Sequence, residues 1–160
     1  GWSQWQGYSS TSNFAQFPVT SMTHDNNTDD NIVGTSAGKI GILEMGATDD
    51  LGDEIVAHVE TGYYNRGTDK RKACEAVHLT FRRGNSTATV EPVGFLEYSD
   101  SPNKWGRPRA IGLGTDGDTN PVVTFRSLGT YRRRAWRFTF SAPTDLVLVG
   151  VEEEFTVLEQ

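Results

Sequence analysis

Within Arg132–Ser141 the apolar residues recur at every second position: Trp136, Phe138 and Phe140 fall on one face, Arg133, Arg137 and Thr139 on the other. A period of two belongs to a β-strand with one core-facing side, because successive side chains of an extended chain point to opposite faces. The alternation returns in Ala73–Phe81, where it sets Val77, Leu79 and Phe81 against Cys74, Ala76, His78 and Thr80. Helix-forming runs of Ala, Leu, Glu and Lys are nearly absent, and turn residues punctuate the chain. These patterns predict an all-β fold.

Further strands are expected over Glu54–Thr61, Thr87–Tyr98, Val122–Ser127 and Leu146–Phe155, with a bulge where Pro92 and Gly94 interrupt the second of them. Strands this short, joined by turns, make residues 53–160 a C-terminal antiparallel β-sandwich. Residues 1–52 hold a strand over Gln16–Thr23, the acidic loop His24–Asp30 and the segment Asn31–Leu43. They read as a small sheet resembling one blade of a β-propeller.

The segment Asn31–Leu43, NIVGTSAGKIGIL, imitates a phosphate-binding loop. Its glycine spacing is one residue short, and Ile40 stands where a hydroxyl would hold Mg²⁺. The apolar alternation after Lys39 also contradicts the helix that should follow. A hairpin turning at Ser36, Ala37 and Gly38 is expected instead.

Formal net charge is −6, unevenly spread: residues 1–69 carry ten acids and two bases, the remainder eleven acids and thirteen bases. Bulk nucleic-acid binding calls for a positive excess that the chain lacks. No apolar run approaches the length that spans a bilayer, so no membrane anchor is expected. The first residue is Gly rather than Met, which reads as a processed product or part of something longer. Cys74 is the only cysteine, excluding an intrachain disulfide, and no base lies near it in sequence to activate it.

Chemistry is hard to find. His24, His58 and His78 lie far apart and lack carboxylates at metal-ligand spacing, so no metal site or cofactor is expected. Asp25–Asp29 and Asp116–Asn120 place oxygens at alternate positions as a calcium loop begins, yet neither ends in the required Glu. Asx-rich turns look the same. In Glu152-Glu153-Glu154 adjacent carboxylates point to opposite faces, so they form no acid–base pair. No catalytic residue is assigned, and the expectation is a protein that is not an enzyme.

Two features suggest contacts. Arg132 and Arg134 would project together from a strand, away from Arg133, and with Arg71 and Arg82 they would form a basic subunit edge. Trp2, Trp5, Tyr63 and Tyr64 could stack on sugars if exposed, which gives the alternative of a carbohydrate- or receptor-binding β-sandwich module.

Two resemblances come from motifs. Tyr98-Ser-Asp-Ser-Pro-Asn-Lys-Trp105 resembles a shortened Asp-box, the hairpin of sialidases and other propellers in which the Asp ties the turn and the Trp packs beneath it. A longer likeness covers most of the chain. The succession Val59–Tyr63, Arg71-Lys72, Leu96–Asp100 with Trp105, Phe125–Arg134, Phe138–Pro143 and Leu146–Val151 is similar to the C-terminal part of the tail nozzle, or tail accessory, proteins of short-tailed bacteriophages. Trp2-Ser-Gln-Trp5 and NIVGTSAGKIGIL resemble the last blade of their propeller. The resemblance implies a structural virion protein of the tail, without catalysis. It would assemble as a homo-oligomeric ring, a hexamer in that family, with portal, adaptor and other tail proteins, around a channel through which genomic DNA passes. Family members are several times longer, so the chain is expected to be a fragment or a reduced relative.

Overall fold

The computed structural model describes residues 6–8, 14–16, 18–44, 47, 49–83, 91–102, 104–114, 120–141 and 146–159. The chain is all-β and divides into two compact units, Gly1–Ile55 and Val56–Gln160.

In the first unit, β1 (Gln6–Tyr8) pairs with β2 (Phe14–Gln16), and β3 (Val19–Asp25), β4 (Asp30–Thr35) and β5 (Ile40–Ile42) form an antiparallel sheet in that order. Short strands β6 (Asp49–Asp50) and β7 (Asp53–Glu54) make a further pair. The β4–β5 connection is the hairpin expected of NIVGTSAGKIGIL. Gly38 takes the left-handed φ of 76° and donates its N–H to the Thr35 carbonyl at 3.0 Å. Lys39 Nζ donates to the Leu51 carbonyl at 3.2 Å, so the lysine of the apparent phosphate loop serves a structural contact.

The second unit is a sandwich of two sheets. One runs β11 (Arg109–Gly112), β10 (Val93–Ser99), β14 (Ala135–Ser141), β8 (Val56–Glu60). The other centres on β9 (Lys72–Arg83), which pairs on one side with β12 (Val122–Arg126) and β13 (Thr130–Tyr131), and also with the long β15 (Leu146–Val157). All pairings are antiparallel. The core lies between the sheets: Val77, Leu79, Phe81, Val123 and Phe125 from one meet Leu96, Trp136, Phe138 and Phe140 from the other. Phe81 crosses the interface, its ring centroid 5.4 Å from Phe138 and 5.8 Å from Phe140. Each fully buried Phe or Leu contributes about 2 kcal/mol of transfer free energy, so this alternating set holds the two sheets together.

Two expectations about register change. Cys74 joins Val77, Leu79 and Phe81 in the core instead of lying opposite them. The cause is a bulge: Glu154 pairs with Ala76 and Phe155 with Cys74, so Glu75 is left over and side-chain parity reverses across it. By contrast, no bulge forms at Pro92 and Gly94, because β10 keeps an unbroken register with β14 from Val93 to Ser99. Gly94 is there for space: a Cβ would lie 2.7 Å from Phe138 Cζ and 2.9 Å from Leu113 Cδ2. The expected turn at Asn85 and the strand's start at Thr87 lie outside the described residues.

Candidate functional site

The concentration of charge is at one end of the sandwich, where β13 bends into β14. Residues 132–133 form a bend rather than strand, so strand alternation does not govern them. Arg132 turns its Nη1 to the Asp69 carbonyl at 2.8 Å, and Arg133 pairs with the Asp69 carboxylate at 3.2 Å. Arg134 is the correction to the expected projecting pair: it is 2% exposed. Its backbone bridges to Tyr64, and its parity is that of Trp136, Phe138 and Phe140, which points it inward.

Burying a guanidinium demands compensation, and Arg134 has it on every side. Nε donates to Asp100 Oδ1 at 2.6 Å and Nη2 to Oδ2 at 2.8 Å, while Nη1 donates to the Leu128 carbonyl at 2.7 Å. The Tyr98 and Tyr131 rings flank the cation, with centroids 4.1 Å and 4.3 Å away. Asp100, the aspartate of the Asp-box-like stretch, thus fastens Arg134. Trp105 from the same stretch lies under the Arg137 guanidinium at 3.8 Å.

Tyr131 links this pair to a second one. Its hydroxyl donates to Glu153 Oε1, and Glu153 Oε2 accepts from Arg66 Nη2 at 2.6 Å and Nε at 2.9 Å. Glu153 has a side chain only 3% exposed, whereas Glu154 beside it is 60% exposed and points outward, as the strand geometry of Glu152–Glu154 requires. Burial first, and then Glu153, push the Tyr131 phenol well above its usual range. Lys72, fully buried, donates to the carbonyls of Thr68 at 2.7 Å and Lys70 at 2.9 Å, with Nζ 5.5 Å from the Tyr131 ring centroid.

Above this network lies an open depression of about 630 Å³, lined by Asp69, Arg71, Asp100, Thr130, Tyr131, Arg132 and Arg133. The Asn65 amide, and then the Arg133 guanidinium, hold the Asp69 carboxyl below the usual carboxylate range. Of the four arginines expected at a subunit edge, Arg71 and Arg132 line the depression and Arg134 lies buried. Arg82 sits near the far end of β9, roughly 35 Å from Arg71 at 3.3 Å per residue.

No protein-family model matches this chain, and no curated protein matches it.

The remaining candidates separate. Tyr63 is fixed by its hydroxyl, which meets Ser99 Oγ at 2.6 Å and the Ser101 carbonyl at 2.9 Å. Tyr64 is 52% exposed as a residue, with the Arg66 guanidinium over its ring at 5.7 Å from the centroid. Trp2 and Trp5, and residues 115–119 of the second Asp-rich loop, lie outside the described residues. In the first such loop Asp25 spends its oxygens locally, Oδ1 accepting from Asn27 N at 2.9 Å and Oδ2 from Thr28 Oγ1 at 3.4 Å. Among the described residues no group of three His, Cys, Asp or Glu side chains is placed to hold a metal. His78 Nδ1 meets Thr124 Oγ1 at 2.9 Å, and His58 Nδ1 meets Thr139 Oγ1 at 3.3 Å.

Sequence reasoning missed Asp69, Asp100, Tyr131 and Glu153. One signal was present: extending the Trp136, Phe138, Phe140 parity back by one step puts Arg134 on the core face, where a carboxylate has to meet it.

Proposed function

We propose that the protein is a structural, non-catalytic subunit of a bacteriophage tail, a nozzle or accessory ring component. It packs with copies of itself and with neighbouring tail, adaptor or portal proteins around the DNA channel. One observation supports assembly above all. β15 runs for 12 residues and, among the described residues, pairs with β9 alone, while Val147, Val149, Val151 and Val157 on it are 36–62% exposed. A long strand edge dressed in valine is a template for pairing that monomeric proteins usually blunt. The phage assignment itself rests on the succession of motifs described above. Electron microscopy of the purified chain tests the reading: closed multi-copy particles support it, and single sandwiches count against it.

A second reading, a carbohydrate- or receptor-binding module, is favoured by the half-exposed residue Tyr64 next to Tyr63. Binding of the isolated chain to a glycan panel distinguishes it.

A further inference from the structure

We infer that copies of this chain join side by side through their sheet edges, β15 of one lying parallel to β12 of the next; the inference rests on the assembly reading above.

Backbone hydrogen bonds show which groups are open. Ser127 N donates to the Glu75 carbonyl at 3.1 Å and Phe81 N to the Pro121 carbonyl at 3.0 Å. Antiparallel strands exchange such bonds at every second residue, so Val123 and Phe125 face β9, while the backbone groups of Val122 and Thr124 and the N–H of Arg126 point away from it. The Arg126 carbonyl is closed by Arg109 Nη1 at 2.7 Å. β9 then turns Ala76, His78 and Thr80 toward β15, where they pair with Glu154, Glu152 and Gly150. The backbone groups of Val151 and Glu153, between these, point to the opposite edge of the sheet. Among the described residues neither edge has a further strand partner.

The two edges match in level. Gly150–Glu154 is the stretch of β15 between its two register shifts, and it spans the same β9 residues, Thr80 to Ala76, as Val122–Arg126 of β12. A copy set alongside in the same orientation, without slip, brings its Thr124 level with Glu152. A parallel ladder needs that alignment, because one residue then bonds two that flank its opposite number: Thr124 N donates to the Val151 carbonyl, and Glu153 N to the Thr124 carbonyl.

Side chains agree with the backbone. Exposed Arg126 comes level with Glu154, which keeps a side chain 60% exposed even with His78 Nε2 at 3.2 Å, and lies beside exposed Glu152. Val122, 60% exposed, comes level with Gly150 next to Val149, 62% exposed. Backbone and valines carry the contact, and the charges fix its register. Antiparallel pairing of Gly150–Glu154 with itself sets Glu152 against Glu152, which like charge disfavours. The β12 and β15 edges are different surfaces, so each copy gives one and receives one. Such a heterologous contact closes into a ring when the rotation allows.

Paired cysteines in the full chain test this, with thermal melting to verify folding. Val122→Cys and Gly150→Cys are level, and a Cβ at Gly150 meets nothing within 4 Å. Within one chain β9 separates the two by about 10 Å, beyond disulfide reach. Cys74 is buried. Under mild oxidation the double variant should give disulfide-linked multiples on a non-reducing gel, and each single variant should stay at chain mass. Arg126→Glu should weaken association roughly tenfold in sedimentation velocity, and it gives a second route if the double variant does not fold. A parent that associates while the folded double variant forms no link, or Arg126→Glu that associates like the parent, overturns the β12–β15 contact and leaves the assembly reading standing. Covalent dimers from Gly150→Cys alone put β15 against its own copy and overturn the contact likewise. A parent chain that is monomeric at every concentration overturns both.

Discussion

Arg134 and Asp100 form a two-point ion pair in which the arginine side chain is 1% exposed and the aspartate 40%. The asymmetry decides what mutation does. Asp100→Ala leaves a guanidinium buried between two tyrosines without its counter-charge, and the expected cost is about 3 kcal/mol. Chemical denaturation checks it. A change below about 0.5 kcal/mol, the scale of ordinary surface substitutions, would mean that the flanking tyrosines suffice.

The Tyr131–Glu153 hydrogen bond couples β13 to β15. Tyr131→Phe and Glu153→Gln should each destabilise the chain, by about 1–2 kcal/mol for the lost hydroxyl and more for the lost charge. The double variant should cost less than the sum, since the partners share one bond. Additive effects in that cycle would show that the two act apart.

Alkaline stability follows from Cys74. Burial, and then Glu153, push its thiol up to about 12 from an ordinary 9.0. Between those values the unfolded thiol ionises and the folded one does not, so the unfolded chain binds fewer protons. Stability should fall as pH rises through this window, by at most about 1.4 kcal/mol per pH unit from this group. Tyr131 adds to the same slope at higher pH. Denaturant midpoints above pH 9 should decline less steeply in Cys74→Ala, and a thiol reagent should label the parent only after unfolding.

Space at Gly94 gives a packing test. An added methyl there meets Phe138 and Leu113 inside 3 Å, so Gly94→Ala should cost about 1–3 kcal/mol. Gly62→Ala, where a Cβ meets nothing within 4 Å, is the control and should be close to neutral. Equal melting temperatures for the two would contradict the packing described at Gly94.

The strands were legible in the sequence where one face is buried and the other wet. Trp136, Phe138 and Phe140 fell on the core side as their spacing requires, and the turn at Gly38 formed where the glycine sits. Alternation failed where an extra residue or a bend resets parity: at Glu75, which put Cys74 with Val77, and at residues 132–133, which broke the arginine run into two exposed side chains and one buried. The charged network was illegible for another reason. Asp69, Asp100 and Glu153 reach their arginines across 64, 34 and 87 positions of sequence, and only the completed sandwich brings them together.

The most direct measurement is sedimentation velocity of the full chain over a wide range of protein concentration, at low and high salt. An assembling tail subunit should run as a whole-number multiple of the chain mass at both salt concentrations, because the exposed edge that supports the reading is apolar. A single species of chain mass at every concentration, with or without bound sugar, would contradict it.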